Sequence, residues 1–271
     1  MNSRREEPGA LRVWPPPAEP VATRASKAMG ALGAVLLAAM VVAQVASGLQ
    51  PRPIALTGVV VPLLAASALV FASVTYSPTG AVAAFTAAVA TGYAAEWVGT
   101  RAGVPFGDYH YTGALQPVLG GVPVIVALAW GGMGLAAHAV AAAIAPGSRA
   151  ARVALGALAL TAWDVFLDPQ MTRLGLWVWH DPGHYRGVPL GSFAGWLVVS
   201  LLVMVLIERL VAEPAVWSPG LVSIYTTMAV METVGFAAVF DPPDPLVAVA
   251  GGTCMGLFVL LAWGHGYRRQ R

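Results

Sequence analysis

Eight apolar stretches recur along this 271-residue chain, each close to the ~20 residues that cross a bilayer as a helix. They run over about 27–49, 54–76, 80–99, 122–145, 151–169, 191–211, 220–240 and 245–265. A bilayer core offers no water to satisfy peptide groups, so stretches of this kind fold as helices. The pattern predicts an all-α fold, a polytopic integral membrane helical bundle of about eight transmembrane helices. Only 10% of the residues are charged, against about 25% in soluble domains. The connections are short except 100–121 and 170–190, which leaves no room for a soluble domain. Gly and Ala are frequent inside the stretches, as close helix packing in lipid requires.

Residues 1–25 carry Pro8, Pro15, Pro16, Pro17 and Pro20 among Arg, Glu and Ala. That composition cannot bury a core and predicts a disordered tail. A signal peptide fits poorly, because the first apolar run is longer than an h-region and is followed by similar ones. Residues 26–267 are expected to form a single integral membrane domain, with a basic end at 268–271. Eleven of the fifteen Lys and Arg residues fall on the side of the two termini and four on the other. The positive-inside rule then places both termini in the cytoplasm and the protein in the cell membrane, with the two long connections on the outer side. A reporter fused after Arg271 is expected to read as cytoplasmic; an outward C-terminus would overturn this orientation.

Within that frame the acids stand out. Asp164 and Asp168 end the fifth stretch and, four residues apart, share one helix face. Pro169 follows and predicts a helix end there. Glu96 lies near the end of the third stretch. Glu232 lies in the seventh, roughly nine residues or ~13 Å below Asp241 at the helical rise. All three helices run outward, which puts Glu96, Asp164, Asp168 and Glu232 at similar depth. Acids in apolar segments are function candidates by default. Three close carboxylates cannot all ionise cheaply in a low dielectric, so at least one is expected to hold a proton. A neutral carboxyl beside ionised ones is a general acid paired with a base. The alternative is that each carboxylate caps loop amides or pairs with Arg101, Arg173 or Arg186. Asp241 and Asp244, in the D-P-P-D-P segment, read as turn residues.

The two long connections are rich in aromatics, Gly and Pro. One holds Tyr109 and Tyr111. The other holds Trp177, Trp179 and Tyr185, flanked by Trp163, Phe193 and Trp196. An interfacial belt accounts for part of this, yet the density also suits rings that line a long apolar ligand or face a passing cation. His110, His180 and His184 share these loops with Asp181. Pro182 and Gly183 break the spacing of H-D-P-G-H, and no H-E-x-x-H is present, so no metal site is expected. His138 and His265 read as isolated structural residues. Cys254, the single cysteine, allows no internal disulfide and no C-x-x-C motif. The basic residues form short flanks instead of a stripe, which argues against nucleic acid. Asp164-x-x-x-Asp168 suggests the Asp-rich helices of membrane prenyltransferases, but a second Asp-rich motif is missing.

Several motifs together resemble the carotenoid hydratase family of integral membrane proteins, the bisanhydrobacterioruberin hydratase type. They are Gly103 to Thr112 (GVPFGDYHYT) with Gly121-Val122-Pro123, then Asp164 to Pro169 (DVFLDP) with Gly175, Trp177 and Trp179, then Gly183 to Pro189 with Phe193, Gly195 and Trp196. The likeness covers about residues 80–200; Ser192 stands where Asn would be expected. The resemblance implies addition of water to the terminal double bond of an acyclic carotenoid, giving a tertiary alcohol. It implies a carotenoid substrate within the lipid bilayer, and other carotenoid-pathway enzymes as candidate partners. The residues suit that chemistry. Alkene hydration needs an acid to form a tertiary cation and a base to guide water, and neither step calls for a cofactor. The expected catalytic set is Asp164 with Glu96 and Glu232 as neighbours, Asp168 orienting a loop or a water, and Asp108 in reserve. The rival readings are a carotenoid end-group cyclase, which would exclude water from the same cation, and a non-enzymatic carotenoid or lipid carrier or transporter.

Overall fold

A computed structural model describes residues 24–50, 54–212 and 214–269. Residues 1–23 of the expected tail and the last two residues lie outside them, whereas Arg24 and Ala25 begin the first helix. Among the described residues eight helices are long and apolar enough to span a bilayer. They are α1 (Arg24–Gly48), α2 (Ile54–Thr75), α3 (Pro78–Ala102), α4 (Val124–Ile144), α5 (Arg149–Arg173), α6 (Leu190–Leu210), α7 (Pro219–Val234, prolonged by a π-helical turn, Gly235–Val239) and α8 (Pro245–Arg269). Each coincides with a predicted apolar stretch. Their starts follow familiar local chemistry: Ser77 accepts from the Gly80 amide to cap α3, and Ser148 caps α5 through Ala151.

Helix α4 is the axis of the bundle. Every residue from Ala129 to Ala143 is buried, as expected of a helix that is apolar all round. It packs against α2, α3, α5, α6, α7 and α8. Helix α6 packs against both α3 and α5, which brings those two helices to one side of the axis.

One expected helix end is displaced. Helix α5 continues through Pro169 to Arg173. Proline has no amide to give the carbonyl four residues back, here that of Val165. The Tyr185 hydroxyl donates to that carbonyl instead, at 3.1 Å. A side chain from the following loop thus satisfies the group that would otherwise end the helix.

The two long connections are not plain loops. Tyr109–Tyr111 (β1) pairs antiparallel with Trp177–Trp179 (β4), with Tyr109 opposite Trp179 and Tyr111 opposite Trp177. A second short pair, Val118–Leu119 (β2) with Val122–Pro123 (β3), leads into α4. Alternation along a strand puts every second side chain on one face. Tyr109, Trp177 and Trp179 are buried, and Tyr111 is half-buried; His110 and Val178 are exposed.

At the opposite end of the bundle a polar network is buried. The Glu208 carboxylate of α6 accepts from Arg152 of α5, with Nε to Oε1 at 3.1 Å, and lies 2.8 Å from His138 Nε2 of α4. Tyr76 reaches His138 Nδ1 at 3.2 Å, and Arg152 Nη1 donates to the Pro146 carbonyl at 2.6 Å. His138 is therefore not isolated. Arg152 is a buried cation in the first turn of α5; it neutralises Glu208 and not the predicted site.

Candidate active site

Three carboxyl groups meet beneath the β1–β4 pair: Glu96 of α3 and Asp164 and Asp168 of α5, all buried. Their hydrogen-bond environments differ sharply. Glu96 Oε2 accepts from the Tyr109 hydroxyl in a short bond and from the Tyr111 hydroxyl at 2.7 Å. Its other oxygen accepts from Trp130 Nε1 at 3.2 Å. Burial pushes both phenols well above their usual range, and the adjacent Glu96 carboxylate adds to this, so both stay protonated and able to donate. Asp168 Oδ2 accepts from the Ser192 hydroxyl of α6 at 2.8 Å. Among the described residues no donor reaches either oxygen of Asp164. Its neighbour is the Asp168 carboxyl, within hydrogen-bonding reach once one of the two carries a proton.

Small residues make this arrangement possible. A β-carbon at Gly92 would lie 2.2 Å from Trp130; without one, the indole lies against α3 a turn below Glu96 and reaches its carboxylate. A β-carbon at Gly195 would lie 2.4 Å from the Pro105 carbonyl, so glycine lets the β1 loop sit directly on α6. Trp130 and Trp196 stack with centroids 4.1 Å apart, and Trp163 meets Trp196 edge-on at 6.1 Å.

Between Glu96 and Asp168 lies a cavity of about 10 Å³. Tyr109, Tyr111 and Ser192 contribute to its polar lining, and Trp177 and Trp179 stand among its aromatic walls. The indole N–H groups of Trp163, Trp177 and Trp179 are buried without acceptors among the described residues. Buried donors left unpaired cost about 1–3 kcal/mol each, so this is an expensive place to keep them.

Not every expected residue belongs to the cluster. Glu232 is buried in α7 but makes no hydrogen bond or ion pair among the described residues, and no interaction joins it to the other three carboxyls. Its helix packs against α1, α2, α4 and α8. Asp108 is exposed beside His180, at 2.8 Å from its Nδ1, and His180 stacks on His110. Among the described residues no three His, Cys, Asp or Glu side chains gather as metal ligands would. Tyr185 and Phe193 pack edge-on against each other at 5.8 Å, beside α5. Arg101 bonds the Gly120 carbonyl, Arg173 the Pro242 carbonyl and Arg186 the Asp244 carboxylate; none neutralises the clustered acids. Asp244 also accepts from the Val247 amide at the start of α8, in keeping with its reading as a turn residue.

Sequence reasoning passed over Trp130 and Ser192 as partners of the acids. Trp130 is separated from Glu96 by 34 residues, and nothing local ties the two together.

The family described as "Carotenoid biosynthesis protein" matches residues 57–258. The chain belongs to that family. The match runs from within α2 to within α8 and includes both strands of the aromatic cover. A curated relative, the bisanhydrobacterioruberin hydratase of Haloarcula japonica, is 32% identical over 121 residues, which is 43% of this chain and 41% of the relative. The chain thus aligns with less than half of that protein's length. No solved structure matches this member of the family significantly.

Proposed function

We propose that this protein hydrates the terminal double bond of an acyclic carotenoid, giving a tertiary alcohol. The observation that carries this reading is the contrast between the carboxyls. Glu96 is surrounded by three donors and is therefore best satisfied as an anion. Asp164 has no donor and is best satisfied as a neutral acid that shares its proton with Asp168. A neutral acid beside a fixed anion is what alkene protonation needs: the first gives the proton, and the second faces the developing positive charge. The surrounding indoles and phenols add their ring faces to that stabilisation.

A carotenoid is about as long as a bilayer is thick, so one end can reach the cluster while the polyene lies among the apolar helices. An isoprenoid end group is larger than the cavity between Glu96 and Asp168, so its binding must separate side chains that touch here. The polar lining favours hydration over cyclisation, which would require water to be kept from the cation. The relative's name supports a hydratase within this family.

Expression in a lycopene-producing host, with mass analysis of the pigments, tests the reading. The expected product carries the mass of one water for each modified end. A product of unchanged mass would instead make the protein a cyclase or isomerase.

A further inference from the structure

We propose that the cavity between Glu96 and Asp168 binds the nucleophilic water, and that Asp168 takes that water's proton and returns it to Asp164. This rests on the hydration reading above and assigns the second half of that reaction.

The size fits first. At about 10 Å³ the cavity has roughly the room of one water molecule, and a buried water needs two to four polar partners. Both kinds of partner are present. Trp177 and Trp179 line the cavity, and each is buried with an indole N–H that has no acceptor. A water oxygen would accept from such a group. Glu96 and Asp168 offer carboxylate oxygens to which the water would donate. Two lining residues with orphaned donors and two with carboxylates suit a molecule that accepts and donates at once.

The two carboxylates differ as bases. Glu96 already accepts from Tyr109, Tyr111 and Trp130. Asp168 accepts from Ser192, on Oδ2, and from Asp164 only while that acid keeps its proton. Asp168 also lies one helical turn from Asp164, within reach of a shared proton. It can therefore take a proton from water and pass it on, which Glu96, on another helix, has no comparable means to do. Ser192 is then a positioning residue: it holds Asp168 with one oxygen fixed and the other open.

The atoms balance. Neutral Asp164 gives its proton to the less substituted alkene carbon, which leaves its carboxylate and a tertiary cation. The water oxygen forms the new C–O bond while one of its O–H bonds breaks, and that proton goes to Asp168. Transfer from Asp168 to Asp164 restores the starting state. Alkene and water become alcohol, and no oxidant or reductant takes part.

Purified protein given an acyclic carotenoid in deuterated water tests this. The wild type should form alcohol bearing one carbon-bound deuterium. Asp168→Asn should cut alcohol formation by about 100-fold or more, while recovered alkene still acquires deuterium, because Asp164 still protonates and the uncaptured cation loses a proton again. Replacing Trp177 and Trp179 by Phe keeps the rings and removes the orphan donors. It should lower the ratio of alcohol to deuterated alkene by about 10-fold. If Asp168→Asn hydrates within about twofold of wild type, or stops deuterium uptake together with hydration while still binding carotenoid, the assignment is overturned. Should Asp168→Asn fail to fold, the tryptophan variant decides, and an unchanged ratio overturns the water site. Wild-type protein that forms neither alcohol nor deuterated alkene would instead refute the hydration reading itself.

Discussion

Asp164→Asn is expected to lower carotenoid hydration by about 10²–10⁴-fold, the range that one positioned acid contributes. The substitution keeps the size of the side chain and its capacity for hydrogen bonding. It removes the proton that the alkene needs. Asp164 is fully buried on α5 with both oxygens free of donors, so an amide introduces no lost ion pair and the fold should persist. The variant should still bind carotenoid, seen as pigment that copurifies, and should fail to place deuterium on carbon. That last readout separates it from Asp168→Asn, which is expected to keep deuterium uptake. Alanine at Asp181, exposed on the loop, should leave hydration near the wild-type rate. Full activity of Asp164→Asn would remove the acid from this account.

The largest loss of stability is expected from Glu208→Ala at the other end of the bundle. Glu208 is buried and holds both Arg152 and His138. Without it, a buried guanidinium loses its counter-charge and an imidazole loses one of its two partners. Removing one member of a buried pair typically costs about 3–5 kcal/mol, because the other charge stays behind. Helices α4, α5 and α6 meet through this network, and the same three helices carry Trp130, Asp164, Asp168 and Ser192. Thermal unfolding of the detergent-solubilised protein should show a clear drop in the midpoint. Glu208→Gln keeps a hydrogen-bond acceptor for Arg152 and His138 and should lose less. Equal stability of Glu208→Ala and wild type would show that the network is dispensable.

The bundle was legible in the sequence because bilayer length and hydropathy fix where a helix can span. The site was legible only in part. Asp164 and Asp168 share a face through local helical spacing, which sequence exposes directly. Glu96 joins them because α6 draws α3 and α5 together, and hydropathy says nothing of which helices are neighbours. Glu232 is buried, but burial does not fix which neighbours a side chain meets: α7 touches α5 through Tyr225 and the Ala159 carbonyl, while no interaction joins Glu232 to the other three carboxyls. The strand pair was hidden for a similar reason. Tyr-His-Tyr and Trp-Val-Trp each alternate as strands do, yet they are more than sixty residues apart. Pro169 misled because the hydroxyl that replaces its missing amide comes from Tyr185, in the next loop. Glu208 and His138 went unlinked because they lie in different apolar runs, 70 positions from each other.

The most direct test of hydration by this cluster is a reaction of purified protein with lycopene in water enriched in heavy oxygen, without added cofactor. The account predicts a tertiary alcohol with one heavy oxygen per modified end, absent from the Asp164→Asn reaction. A product of unchanged mass, or an alcohol whose oxygen does not come from the water, would contradict it.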